Sequence, residues 1–205
     1  MHSPHKLLLA MMMSLLSGCG AVTAISDAGA PKDVYTLSPV MAEKVPAPGN
    51  SHLVVELPTS AGAVATDRIQ IKPVSYQAQY LPDGTWSEPA PTLLQTLLVA
   101  SFQNMGGYRL VGRTGAGLMP DYTLMTELQE FHAEPVSTSS VPLTIRIGTM
   151  MTLIRESDRR IVATRRFSAT TEVPADDTDT LVRGFESAMQ SLLRDVVLWT
   201  RAQAR

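Results

Sequence analysis

The sequence places its single cysteine, Cys19, just after a short apolar segment near the amino terminus. Leu7–Leu16 is almost entirely apolar, and only Ser17 and Gly18 separate it from the cysteine. The thiolate of a cysteine is a nucleophile that can receive a lipid group, and small neighbouring residues leave room beside it. A lone cysteine cannot form an intramolecular disulfide, so core packing alone must stabilise the fold.

The residues before the cysteine follow the pattern of a secretory signal. Met1–Lys6 contains a lysine and no acidic residue, and the apolar segment comes directly after it. As a helix, that segment would span about 15 Å, half of the ~30 Å hydrocarbon core of a bilayer. It is too short to remain as a transmembrane helix. The sequence therefore predicts a lipoprotein signal peptide over residues 1–18.

The run Leu16-Ser17-Gly18-Cys19 resembles the bacterial lipobox, which is an aliphatic residue, two small residues and a cysteine. In proteins with that motif, the thiol receives a diacylglyceryl group, the chain is cut before the cysteine, and the new amino group is usually acylated. The resemblance implies cleavage between Gly18 and Cys19 and a covalent lipid on Cys19. The alternative is cleavage near Ala21 or Ala24, which would leave the cysteine in the discarded piece.

A lipid on Cys19 would determine where the protein resides. Each buried CH₂ contributes roughly 0.8 kcal/mol, so two or three chains hold a protein on a bilayer far more firmly than one chain. The residue after the cysteine is Gly20, whereas aspartate at that position commonly retains Gram-negative lipoproteins at the inner membrane. By resemblance to that sorting rule, we expect the outer membrane of a Gram-negative bacterium, with the domain facing the periplasm.

The composition indicates one folded domain after the anchor. The chain has 205 residues, of which 44% are hydrophobic and 18% charged, as in globular proteins. The net charge of -2 gives no basic field for nucleic acid, and aromatics at 5% are too sparse for a base-stacking platform. We expect a flexible tether at residues 19–33, a single domain at 34–205, and no nucleic-acid partner.

The apolar spacing predicts an α+β fold. Two helices are expected, Ser87–Met105 with Ser87 as its cap, and Asp177–Arg201 with aspartates at its amino end. Pro82-Asp83-Gly84 predicts a turn. We expect a mostly antiparallel sheet with both helices packed on one face. The predicted strands are 34–37, 52–57, 67–73, 75–80, 108–111, 122–132, 143–155 and 161–173.

A search for catalytic or metal-binding groups finds none with suitable spacing. His52 and His132 lack partners at metal-ligand spacing, and we expect each to be a surface or strand-end residue. The GRTGAG run at 112–117 lacks the following helix of a phosphate loop, so a loop between strands is predicted. The acidic run at 175–179 is interpreted as a helix cap. We expect no enzyme activity, no metal and no cofactor besides the lipid.

Several methionines of the mature chain are predicted to lie in or near the core, where their flexible side chains fill irregular space. These are Met119, Met125 and Met189. The alternative is that methionine lines an adaptable surface that contacts lipid.

The layout resembles the ABC-type transport auxiliary lipoproteins, the group that includes the PqiC-like components. The resemblance rests on the lipobox, on Tyr35-Thr36-Leu37, on the run from Asp67 to Pro89 with Trp86 before the first helix, and on the helix-to-strand run at 93–111. It covers roughly residues 34–200. This chain departs from the family pattern in its small-residue stretch at 58–66.

That resemblance implies a non-enzymatic periplasmic lipoprotein that works with an ABC permease and ATPase and with an MCE-domain protein. Such systems are thought to move lipids or other hydrophobic molecules between two membranes. A homo-oligomer would suit a part that caps a tube. The alternatives are a structural or assembly lipoprotein of another envelope machine, such as a secretion apparatus, and a lipid-anchored hydrolase.

Overall fold

One long strand lies at the centre of the sheet and pairs with strands on both of its edges. In the computed structural model, the described residues are 31–42, 47, 49–115, 117, 119–136 and 142–204. The strands are β1 (Asp33–Tyr35), β2 (His52–Val55), β3 (Thr59–Ser60), β4 (Arg68–Ile71), β5 (Gln79–Trp86), β6 (Leu110–Arg113), β7 (Tyr122–Pro135), β8 (Leu143–Arg155) and β9 (Arg160–Val173). Strand β7 is the central one.

Strands β7, β8 and β9 form an antiparallel meander, as the sequence predicts. The first strand contains a bulge, because the pairing of β7 with β8 shifts between Leu128 and Glu130. The polar turn between β8 and β9 contains Arg159 with φ of 56°. Each of these strands is long enough to be recognised from its alternating apolar residues, even when the strand that pairs with it is unknown.

The other edge of β7 is covered by three short strands in succession. Strands β2, β3 and β4 pair with it in parallel, at Leu53–Val55, Thr59–Ser60 and Gln70–Ile71. Strand β6 adds to β2 in parallel, while β5 adds to β4 antiparallel and β1 adds to β5 in parallel. The sheet is therefore mixed, although its longest pairings are antiparallel.

The predicted turn at Pro82-Asp83-Gly84 is wrong, because β5 runs through it from Gln79 to Trp86. The pairing of β4 with β5 shifts between Arg68 and Gln70, and this irregularity accommodates the three residues. Proline has no N–H to donate and is tolerated in a strand at such a point. The bends and turns that join the two strands lie at 73–76 instead.

Two helices complete the fold, α1 (Ala90–Met105) and α2 (Thr178–Gln203). Helix α1 begins after Pro89, which makes no side-chain cap, so the expected Ser87 cap is wrong; the Ser87 N–H donates to the Tyr35 carbonyl instead. Gly106, with φ of 65°, ends α1, since glycine adopts this conformation without strain. Helix α2 begins as predicted.

The core lies between the helices and the sheet, and the expected α+β fold is confirmed. Trp86, Phe131 and Phe185 form an aromatic cluster that joins β5, β7 and α2, with centroid separations of 4.9–5.3 Å. The residues from Asp33 onward form one compact unit. No helix within the described residues is both long and apolar enough to cross a membrane.

Candidate functional site

The residues predicted to carry the lipid lie outside the described part of the chain. Leu16, Ser17, Gly18 and Cys19 all precede residue 31, so their lipidation and cleavage stay predictions. The described site is therefore the surface of the domain that the anchor would hold.

Strand β1 begins one residue before the predicted start of the domain and fixes that end of the chain. The Tyr35 hydroxyl donates to Asp179 Oδ1 at 2.8 Å, so β1 is joined to the first turn of α2. This hydrogen bond, followed by desolvation and nearby aspartate charges, raises the pKa of Tyr35 to about 12. The phenol therefore stays protonated and keeps donating near neutral pH.

The amino end of α2 is acidic and capped. The Asp177 side chain accepts from the Thr180 N–H at 2.9 Å, and this hydrogen bond lowers the pKa of Asp177. Asp179 lies in the first turn, where negative charge is favourable to the helix dipole. The acidic run at 175–179 is thus the predicted helix cap.

The face of the sheet opposite the helices carries a group of charged side chains at one end. His132 Nε2 lies 3.4 Å from Glu134 Oε2, and Arg146 donates to the other Glu134 oxygen. Arg166 contacts Glu130 at 3.2 Å. Each of these glutamates therefore has an arginine partner on another strand of the same face.

His132 is neither a surface residue nor a strand-end residue, so that expectation is wrong. Its side chain is only 2% exposed, inside β7 and opposite Arg146. Burial, with the Lys72 charge, lowers the pKa of His132. Burial acts to raise the pKa of Glu134, but the Arg146 hydrogen bond and charge outweigh it and lower that pKa. Neutral His132 therefore sits beside an ionised Glu134.

The other end of the same face carries exposed apolar side chains. Leu57, Met125 and Met150 line a cleft of about 240 Å³ between β7, β8 and the chain after β2, together with Glu56 and Glu127. Leu57 is 56% exposed and Met125 is 43% exposed. Met125 was expected in the core, and its exposure corrects that prediction, since it alternates with buried Leu124.

The remaining predicted positions divide between core and surface. Met189 is buried in α2 as expected, whereas Met119 is 89% exposed and corrects that prediction. The run at 112–117 begins inside β6, which ends at Arg113, and its later described residues lie between β6 and β7, where a loop is predicted. Among the described residues, no three metal-ligating side chains converge.

Residues 35–197 match the model of a family described as "ABC-type transport auxiliary lipoprotein component". The chain belongs to this family. This member of the transport auxiliary lipoproteins therefore carries the family domain from β1 into the last third of α2. The resemblance stated from the sequence is confirmed.

Solved structures share the fold of this auxiliary lipoprotein. A Xanthomonas campestris protein of the DUF330 family has a TM-score of 0.75 at 24% identity, covering 85% of this chain and 96% of that one. A hypothetical protein from Chlamydia trachomatis has a TM-score of 0.52 at 7% identity, covering 76% of this chain and 98% of that one. At these identities the likeness is one of fold.

A curated relative from Bradyrhizobium diazoefficiens is an uncharacterized protein, 22% identical over 151 residues. The match covers 74% of the auxiliary lipoprotein and 40% of the relative. The chain thus spans about two fifths of the length of the curated relative that it matches. The lipoprotein family indicates a membrane-associated protein of the cell envelope.

Sequence reasoning missed the charged group and the cleft beside Met125 on the outer face. Both are assembled from strands that are distant in the chain, such as Leu57 beside Met125. The only local signal was the alternation along β7 and β8, which marks one face as outward. That signal does not identify which strands become neighbours.

Proposed function

We propose that this chain is a lipid-anchored, non-catalytic periplasmic subunit of an ABC/MCE-type transport system that moves lipids or other hydrophobic compounds between two membranes. The observation that carries the proposal is the family match over residues 35–197. The lipobox-like run that ends at Cys19 supports it from the sequence, because it would supply the membrane attachment.

The proposed anchor is a set of acyl chains on Cys19 in the outer membrane. The fourteen steps from Cys19 to Asp33 reach at most about 50 Å when extended, at 3.3–3.6 Å per residue. Small and polar residues make this segment a flexible tether. The domain could then meet a partner that approaches through the periplasm from the inner membrane.

Metabolic labelling with palmitate tests the anchor. The native chain should incorporate label and fractionate with the outer membrane, and Cys19→Ala should lose both properties. Ser26→Ala, a change within the tether, is the matched control and should behave as wild type. An unlabelled native chain, or a Cys19→Ala chain that still sediments with envelopes, would contradict the anchor. Gly20→Asp should move the labelled protein to the inner membrane.

The proposed absence of catalysis is supported by the arrangement of the described histidines. Neither His52 nor His132 hydrogen-bonds a serine hydroxyl within the described residues, and the partner of His132 is Glu134. A nucleophile with an adjacent base is what a serine hydrolase requires. Turnover of an ester or glycoside panel that disappears on His132→Gln, with the fold retained, would favour a hydrolase.

Co-purification from crosslinked membranes tests the transport role. The lipidated chain should recover an MCE-domain protein together with the permease and ATPase. Recovery of secretion components instead would favour an assembly lipoprotein of another machine. Measurement of the particle mass in the same preparation reports whether the subunit forms a homo-oligomer.

A further inference from the structure

We propose that the open edge of β9 binds an extended segment of a partner protein, and that this segment carries carboxylate side chains. The inference rests on the proposed function, because it names the surface through which this subunit contacts its transport partner. Three observations support the inference: the length of β9, the regular pairing of β9 with β8, and the positions of Arg165 and Arg166.

Strand β9 is a long strand at an edge of the sheet. It has 14 residues and pairs with β8, and within the described ranges no strand covers its other side. The other two edges are short, since β1 has three residues and β6 has four. A row of unpaired N–H and C=O groups is a template for another strand. Strand addition is a common mode of peptide recognition.

The edge lacks most of the features by which proteins block strand addition. Strand β9 contains no proline. Every residue of β8 from Leu143 to Leu153 has a partner on β9, and the pairing shifts only after Leu153. An edge that is bulged or interrupted twists away from an incoming strand, whereas this one stays regular over most of its length.

Two arginines near the middle of β9 lie on opposite faces of the sheet. Arg165 is paired with buried Met151 and Arg166 with Met150, and successive residues of a strand alternate between faces. The Arg165 guanidinium carbon lies 4.9 Å from the centroid of the Phe167 ring. Arg166 is held by Glu130 at 3.2 Å. The two guanidinium groups thus lie on opposite sides of the open edge, and that of Arg166 already has a carboxylate partner.

The charge of Arg165 has no counter-charge within the described residues. Its side chain is exposed, and no carboxylate of the described chain lies within 4.0 Å of it. Opposite charges that face each other on adjacent strands are favourable, so a carboxylate on the helix side of an added strand would complete this pair. This complementarity identifies the partner segment as acidic.

A second copy of this chain fits the edge less well. Two β9 strands that pair antiparallel over their full length would bring the central arginines of the two copies next to each other. Like charges at neighbouring positions of adjacent strands are destabilising. An acidic strand gains the same backbone hydrogen bonds without that repulsion.

The test uses the lipidated full chain and the membrane complex with which it co-purifies. Arg165→Glu should weaken the dissociation constant for the MCE-type partner by about tenfold, equivalent to about 1.4 kcal/mol. Arg165→Lys should retain most of the binding. Arg194→Glu, the same charge reversal on the exposed side of α2, is the matched control and should bind as wild type.

Amide hydrogen exchange of the wild-type chain gives a second measurement that needs no variant to fold. The β9 amides that face away from β8 should exchange fast in the isolated subunit and slowly in the complex. Unchanged β9 exchange, with Arg165→Glu binding as wild type, would overturn the inference while the recovered partner upheld the proposed function. Failure of the wild-type chain to recover any transport component would overturn both.

One further outcome separates a second copy from the partner. If the β9 amides are already protected in the isolated subunit, and Arg165→Glu lowers its particle mass, then copies of this chain occupy the edge. That result would overturn the assignment of an acidic partner segment.

Discussion

Glu130 and Arg166 form a salt bridge of 3.2 Å across β8, although their strands are not neighbours. Gly148 lies between them, paired with Glu130 on one side and with Ser168 on the other. A Cβ atom at this position would overlap the Glu130 carboxylate. The glycine therefore provides the space through which the carboxylate reaches the arginine.

A double-mutant cycle tests this role of Gly148. Gly148→Ala should destabilise the wild-type protein because the added methyl group displaces Glu130 from Arg166. The expected loss is about 0.5–1 kcal/mol, the size of a partly exposed ion pair. In a Glu130→Ala background, the same substitution should cost little. Urea unfolding of the four proteins measures the coupling, and purely additive losses would contradict the assignment.

Gly184 in α2 should resist substitution for a different reason. Its Cβ would lie 2.5 Å from Val173 Cγ1 and 2.8 Å from Ile145 Cγ1, both on the sheet beneath the helix. Gly184→Ala should destabilise by about 1–3 kcal/mol through overpacking, despite the better helix propensity of alanine. Ser191→Ala on the exposed side of α2 is the control. A stabilised Gly184→Ala protein would show that the helix can move outward.

The aromatic cluster should contribute strongly to stability. Phe185 is fully buried, and its ring lies 5.2 Å from Trp86 and 4.9 Å from Phe131. Phe185→Ala should cost about 3–5 kcal/mol because it removes these contacts and leaves a cavity. Leu198→Ala, at an exposed position of the same helix, should cost far less. Thermal unfolding of both variants compares them, and equal losses would contradict this account.

The stability of the domain should fall as the pH drops below about 6.5, because burial and the Lys72 charge lower the pKa of His132 from 6.5. The unfolded chain takes up this proton more readily than the folded chain, so acid favours unfolding. Glu134 has a pKa below its usual 4.5, so its contribution is lost only at more acidic pH.

Denaturant unfolding at pH 7 and pH 5 measures the effect of His132. His132→Gln should show a smaller loss of stability over this interval than the wild-type protein, since glutamine does not titrate. An identical loss in both proteins would mean that other groups produce the pH dependence.

The elements that the sequence predicts best are those whose pattern is local and long. Helix α2 repeats apolar residues at helical spacing from Leu181 to Trp199, and the meander strands alternate over a dozen residues or more. The sequence does not predict strand β5, because the turn tendency of Pro82-Asp83-Gly84 is local, whereas the pairing of this strand with β4 is a tertiary effect. Strand β3, with two residues, leaves no periodic signal.

The candidate sites likewise differ in whether their residues are contiguous in the sequence. The lipobox-like run at Leu16–Cys19 is contiguous, so the sequence alone suggests its chemistry. The open edge of β9 depends on which strand lies beside it, and the Glu130–Arg166 pair depends on a glycine of a third strand. Neither relationship can be found from spacing along the chain.

The parallel pairing of β2 with β7 has a consequence for the order in which the protein matures. The His52 N–H donates to the Asp121 side chain at the start of this pairing, across 69 positions of sequence. A chain that is threaded through a membrane amino end first would present β2, β3 and β4 before their common neighbour emerges. Until β7 arrives, all three segments lack the strand with which they pair in common, and their exposure to proteases and chaperones is greatest in that interval.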